Sequence, residues 1–187
     1  MNYLENTNNL FKYYKQLGDQ SMAQLTEEQI FWKNASDENS IATIVKHLSG
    51  NMLSRWTNFR TEDGEKTWRN RDDEFEDATL KNKQQVLDKW QIGWACLFDA
   101  IEPLKEPDLE QIVYIRNQGH TVLEAMNRQL GHYAYHVGQL VLMAKMQKGK
   151  DWQTLSIAKG ESKNYNRAKF AKEKERGHFT EEILKKK

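Results

Sequence analysis

Apolar residues recur at intervals of three and four along most of this chain, the spacing of helices that bury one face. From about Tyr3 to Leu25 the pattern runs through Leu4, Phe11, Tyr14 and Leu17 and predicts a first long helix. Thr26, with Glu27, Glu28 and Gln29 behind it, opens a short helix carrying Ile30, Phe31 and Trp32. A second long helix starts after Asn39-Ser40, a capping pair. Its stripe is Ile41, Ile44, Val45, Leu48, Met52 and Phe59, with Trp56 at the edge. The third covers roughly Thr79 to Ile101 through Leu80, Leu87, Trp90, Trp94, Leu97, Phe98 and Ile101. It ends near Glu102, because Pro103 disfavours helical backbone in the residue before it. The fourth opens on a capping box, Thr121-Val122-Leu123-Glu124, and runs to about Lys148, where Gly149 stops it. From Val137 to Met146 it is apolar nearly all round, which calls for neighbours on several sides.

Two stretches break the pattern. Residues 61–77, TEDGEKTWRNRDDEFED, are dense in charge and carry a turn signal at Asp63-Gly64. Gln111-Ile112-Val113-Tyr114-Ile115 reads as a short extended piece. Strand content is otherwise poor, no repeat is present, and the two prolines, Pro103 and Pro107, leave long helices uninterrupted nearly everywhere else. Four long helices around one core make an all-α fold, a four-helix bundle. The 187 residues suit one such domain, residues 1–158, followed by a tail, residues 159–187.

Charge sharpens that division. The tail holds ten basic and five acidic residues, which leaves 18 basic and 22 acidic, a net −4, in the rest. The tail reads as a solvated, partly helical end, or as a surface for an acidic partner. The whole chain balances 28 basic against 27 acidic residues, which excludes a globally basic nucleic-acid binder. One cysteine, Cys96, excludes a disulfide framework and fits a reducing compartment. Set among Trp94, Leu97 and Phe98, it reads as a buried, inert thiol. No run of 18 apolar residues is present, and Met1-Asn2-Tyr3-Leu4-Glu5 begins no secretory leader. The expectation is a cytoplasmic protein with neither membrane nor nucleic acid as partner.

The candidate chemistry lies in histidine. His132 and His136 stand four apart on the fourth long helix, so their Cβ atoms are about 5–6 Å apart on one side of it. Two imidazole nitrogens at that spacing reach one cation at about 2.0–2.1 Å. A third ligand must come from another helix, and His47, near the middle of the second, is the best placed. Three neutral imidazoles suit Zn, Ni, Fe or Cu far better than Ca or Mg, and the cofactor expected is a divalent transition metal, Zn or Ni ahead of Fe or Mn. They also leave a coordination position open, as reactive sites do. A zinc-protease reading fails, because Tyr133 stands where that motif needs a glutamate. On a helical wheel His132 and His136 fall opposite the face of Leu123, Met126, Leu130, Val137 and Val141. His47 falls beside Ser40, Asn51 and Ser54. Such residues line a wet cleft between two helices or sit singly on the surface, and periodicity does not choose. His120 and His178 look incidental.

The residues Ile44-Val45-Lys46-His47-Leu48-Ser49-Gly50-Asn51 and His132-Tyr133-Ala134-Tyr135-His136-Val137-Gly138-Gln139 together resemble the signatures of the DinB/YfiT-like family. Gly64-Glu65-Lys66-Thr67-Trp68-Arg69-Asn70-Arg71-Asp72 and Asp151-Trp152-Gln153-Thr154-Leu155-Ser156-Ile157 are similar to an uncharacterised Bacillus-type branch of it. The resemblance covers about residues 1 to 166 and implies a bundle of up-down-down-up topology, often dimeric. It implies a divalent metal on three histidines, here His47, His132 and His136, and relatives that are bacillithiol- or mycothiol-dependent transferases and isomerases or a metal-dependent hydrolase.

The first functional expectation is therefore an enzyme whose metal activates a thiol or water. In it Gln139 and Asn51 stand behind the ligands and support them by hydrogen bonds. Arg60, Arg69 and Arg71 are candidates for the carboxylates of a low-molecular-weight thiol, against the plainer reading of a solvated loop paired with Asp63, Glu65, Asp72 and Asp73. The alternative is a metal-binding protein without catalysis, such as a stress-response module. A third reading is a scaffold that uses its tail. Trp90 and Trp94 share a helix face and are candidates for a homodimer contact.

Overall fold

The computed structural model describes residues 1–76 and 79–184. Asp77, the last residue of the charge-dense stretch, and Lys185, Lys186 and Lys187 of the tail lie outside them. The described chain is mostly helical. Its long helices are α1 (Tyr3–Ala23), α3 (Ile41–Trp56), α4 (Lys83–Ile101) and α5 (Val122–Lys148), with short α2 (Glu27–Phe31) between the first two. A hairpin, β1 (Ile112–Ile115) and β2 (Gln118–Thr121), precedes α5, and α6 (Ser162–Phe170) and α7 (Glu181–Leu184) lie in the tail. No helix among the described residues is long and apolar enough to cross a membrane.

Local chemistry sets the helix ends. Thr121 caps α5 by accepting from the Glu124 N–H at 3.1 Å, and Glu124 returns a bond to the Thr121 N–H at 2.8 Å. Thr26 and Gln29 do the same for α2. Two expected boundaries differ. Helix α4 starts at Lys83 rather than near Thr79, because Asn82 accepts from the Gln85 N–H and takes the cap position. Helix α3 ends at Trp56 rather than near Phe59, because Thr57 is extended and Asn58 has a φ of +49°.

Most of the packing joins α3 to α4 and α1 to α5, and α3 also meets α5. The centre is aromatic. Trp94 touches Phe11, Trp90 and Tyr133, with ring centroids 6.4, 5.3 and 5.8 Å apart. Trp90 and Trp94 are buried in this chain's own core and present no face to a partner subunit, contrary to expectation. Trp56 is also inside rather than at the edge, because its indole N–H donates to the buried Tyr133 hydroxyl at 3.0 Å.

Gly18 makes room for the Trp90 ring, since a Cβ there would stand 2.3 Å from Trp90 Cζ2. Gly18→Ala is expected to lower stability by about 1–2 kcal/mol, overlap in a packed core outweighing alanine's better helix propensity. Urea unfolding checks it. A variant as stable as wild type would mean the indole does not fill that space.

The hairpin extends what the sequence suggested at residues 111–115. Its turn is Arg116-Asn117, both at positive φ (+55° and +58°), as a two-residue turn of this twist requires. The Asp63 carboxylate accepts from both of their N–H groups at 2.8 Å, tying the turn to the charge-dense segment. In the tail, His178 Nε2 lies 3.1 Å from Asn6 Oδ1 and Phe179 packs on Tyr13, so this end rests on α1.

Candidate metal centre

Helix geometry puts His132 and His136 on one side of α5, while Tyr133 between them turns into the core. Helix α3 brings His47 to meet them. One ligand atom from each of the three lies within 4.8 Å of the others. His47 Nε2 and His132 Nε2 are 3.3 Å apart. Two nitrogens held at about 2.0–2.1 Å by one tetrahedral ion stand about 3.3–3.4 Å from each other, so this spacing suits a shared cation. The cleft is the arrangement in which the less apolar faces of two helices meet, and it decides what periodicity left open.

Each outer ring nitrogen of His47 and His136 has a partner. His47 Nδ1 donates to Glu74 Oε2 at 2.8 Å, because a carboxylate only accepts. That fixes the tautomer and leaves the Nε2 lone pair facing His132. His136 Nδ1 donates to Gln139 Oε1 at 2.8 Å, and Gln139 Nε2 in turn donates to the Tyr135 hydroxyl at 3.1 Å. His136 Nε2 is thereby left as its acceptor. Burial, reinforced by His136 and His47, pushes the His132 imidazolium down to about 3. Burial also lowers His136, against an opposing effect of Gln139. These two rings are thus neutral near pH 7, the form that binds metal.

Glu74 is the residue that sequence reasoning missed. It sits in a short 3-10 turn, Asp72–Phe75, that packs on α3. Its carboxylate also accepts from Arg69 Nε at 2.8 Å and Nη2 at 3.0 Å. Burial raises the Glu74 pKa, but the bonds from His47 and Arg69 outweigh it and hold the group below its ordinary value. Gly50 leaves the space, since a Cβ there would lie 2.2 Å from Glu74 Oε1. Nothing in the sequence separates Glu74 from the other acids of residues 61–77.

The other expected site residues divide. Gln139 reaches His136 as expected. Asn51 lines the cleft but gives its Oδ1 to the Tyr133 hydroxyl at 3.2 Å, rather than to a histidine. Arg71 lines the cleft. Arg69 lines it too, but its guanidinium is committed to Glu74 and Glu65. Arg60 turns away and pairs with Asp108 at 2.9 Å, because Gln111 and Asp108 both face it. Cys96 is half-buried beside Thr57 rather than fully inside, and burial raises its thiol pKa. His120 contacts Arg128, and His178 contacts α1, so neither joins the three.

No curated protein and no solved structure matches the chain. A family model described as "Protein of unknown function (DUF1572)" matches residues 1–161, which include all three histidines, Glu74 and Gln139. With that match spanning most of the 187 residues, the chain belongs to the DUF1572 family.

Proposed function

We propose that this protein holds one divalent transition metal, Zn or Ni foremost, on His47, His132 and His136, and uses it for thiol S-transfer of the bacillithiol type or for hydrolysis. The observation that carries the reading is the convergence of three imidazole nitrogens backed by Glu74 on His47 and Gln139 on His136. Carboxylate and amide partners of that kind orient metal-binding rings and raise their basicity. When bound, such an ion lowers the pKa of a coordinated thiol or water enough to supply a nucleophile near neutral pH. The chain's own part is to aim the three imidazoles at one point, hold two of them by Glu74 and Gln139, and leave the fourth side of the site open to the cleft.

We extend the proposal to the fold and its setting. A DinB/YfiT-like four-helix bundle, up-down-down-up, accommodates α1, α3, α4 and α5 and their packing partners. A homodimer is supported by Tyr135, Leu142 and Met146, which are exposed along α5 at spacings of seven and four. The single cysteine supports a reducing, cytoplasmic setting.

Turnover tests the catalytic part. Zinc- or nickel-loaded protein is expected to consume bacillithiol in the presence of a model electrophile, or to hydrolyse an activated ester, faster than the metal-free protein. Tight metal binding with no metal-dependent rate on either substrate would contradict catalysis and leave a binding module.

A further inference from the structure

The cleft above the three histidines has a volume of about 460 Å3, and its wall is one-sided in charge. Arg55, Arg69, Arg71, Arg116 and Arg128 line it, and no aspartate or glutamate does among the described residues. Two carboxylates stand behind the wall. Glu74 serves Arg69 and His47, and Glu65 is shared by Arg55, Arg69 and Arg116. Five guanidiniums against two carboxylates leave a net +3 facing one small space.

Two of the five have no carboxylate partner among the described residues. Arg71 lies over the Phe75 ring at 5.2 Å, and Arg128 reaches His120 Nε2 at 3.2 Å. Both are exposed. A second observation points the same way. Arg55, only 7% exposed, also lines the cleft. Its Nε–H is buried without a hydrogen-bond partner, a donor left unused beside this space. Unused polar capacity of this kind is rare in folded chains. Guanidiniums bind planar oxyanions through paired N–H donors, and a cleft lined by one sign of charge concentrates ligands of the other.

We propose that this wall seats an anionic small molecule, its carboxylate or phosphate group held by Arg71, Arg116 and Arg128 and its other end toward the histidines. The orientation rests on the metal reading, whereas the anion site does not.

The test is calorimetric titration of the full chain with succinate and with inorganic phosphate, in metal-free and zinc-loaded form, at low and at physiological ionic strength. Zinc content is read on the same samples. Wild type is expected to bind at least one of the two anions, more weakly at the higher salt. The preferred anion separates a carboxylate ligand from a phosphate ligand. The double variant Arg71→Gln, Arg128→Gln is expected to lose affinity by about a hundredfold with zinc content unchanged, since each of the two charged bonds removed is worth about tenfold. Both positions are exposed, and urea unfolding of the variant confirms an intact fold. Arg116→Gln alone is a second variant with the same expected direction. Wild type that binds neither anion overturns the proposal, as does binding that the variants retain. Binding that needs zinc and ignores the arginines also overturns it, since the anion then sits on the ion. Arginine-dependent binding by a chain that takes up no zinc upholds the anion site and sinks the metal reading alone.

Discussion

Glu74→Ala is expected to cost the fold about 3–5 kcal/mol and to weaken metal binding about 10–100-fold. The stability loss comes from Arg69. Its side chain is 2% exposed and its guanidinium is held by Glu74 from Nε and Nη2. Without Glu74 a buried charge keeps, among the described residues, the longer carboxylate contact to Glu65 at 3.8 Å. The loss of affinity comes from His47, whose ring then has nothing to hold its Nδ1–H outward. Glu74→Gln separates the two effects. With its amide oxygen in the place of Oε2 it still accepts from Arg69 Nη2 as well as from His47, so the fold loses less, while metal binding drops by about tenfold as the negative charge behind the ring disappears.

The pH dependence has a definite sign. The Glu74 carboxyl is held below its ordinary 4.5, so its contribution is complete above that value and fades as pH falls through the lower folded-state value. The stability gap between wild type and Glu74→Gln therefore narrows in acid. Urea unfolding across pH and chelator competition for zinc measure both effects. An alanine variant with wild-type zinc affinity would show that Glu74 does not position His47.

How far the sequence disclosed this site differs residue by residue. His132 and His136 were legible because a spacing of four is a statement about geometry within one helix, and α5 was legible because Thr121, Glu124 and Gly149 mark its ends by their own chemistry. His47 was named from its place in the middle of α3 and from the resemblance, but its meeting with the pair depends on the rotation of α3 against α5, which wheels do not contain. Glu74 was not legible at all. It is one of eight acids in residues 61–77, and its role comes from Gly50 on another element giving it room.

The hairpin shows the same limit. Gln118-Gly119-His120-Thr121 has little strand character, and Arg116 at positive φ is supported by Asp63, 53 residues earlier. The end of α3 was missed because neither glycine nor proline marks it. In the core, tryptophan spacing located a buried face on α4. It did not say what would cover that face, and the cover is Phe11, Gly18 and Tyr133 of the same chain.

The second large effect is the loss of the metal itself when one ligand is removed. A site of three imidazoles with one deleted keeps two, and the remaining pair cannot hold a divalent ion against water as three do. For His132→Ala the loss is expected to be nearly complete, because His132 Nε2 is the atom that faces His47 Nε2 at 3.3 Å. His120→Ala serves as the control, being a histidine outside the group. The decisive measurement is elemental analysis of protein purified without chelator and without an affinity-tag metal. About one transition-metal ion per chain is predicted for wild type and for His120→Ala, and a small fraction of that for His132→Ala and His47→Ala. Equal metal content in wild type and His132→Ala, or none in wild type after exposure to zinc and nickel, would contradict a shared ion on these three residues.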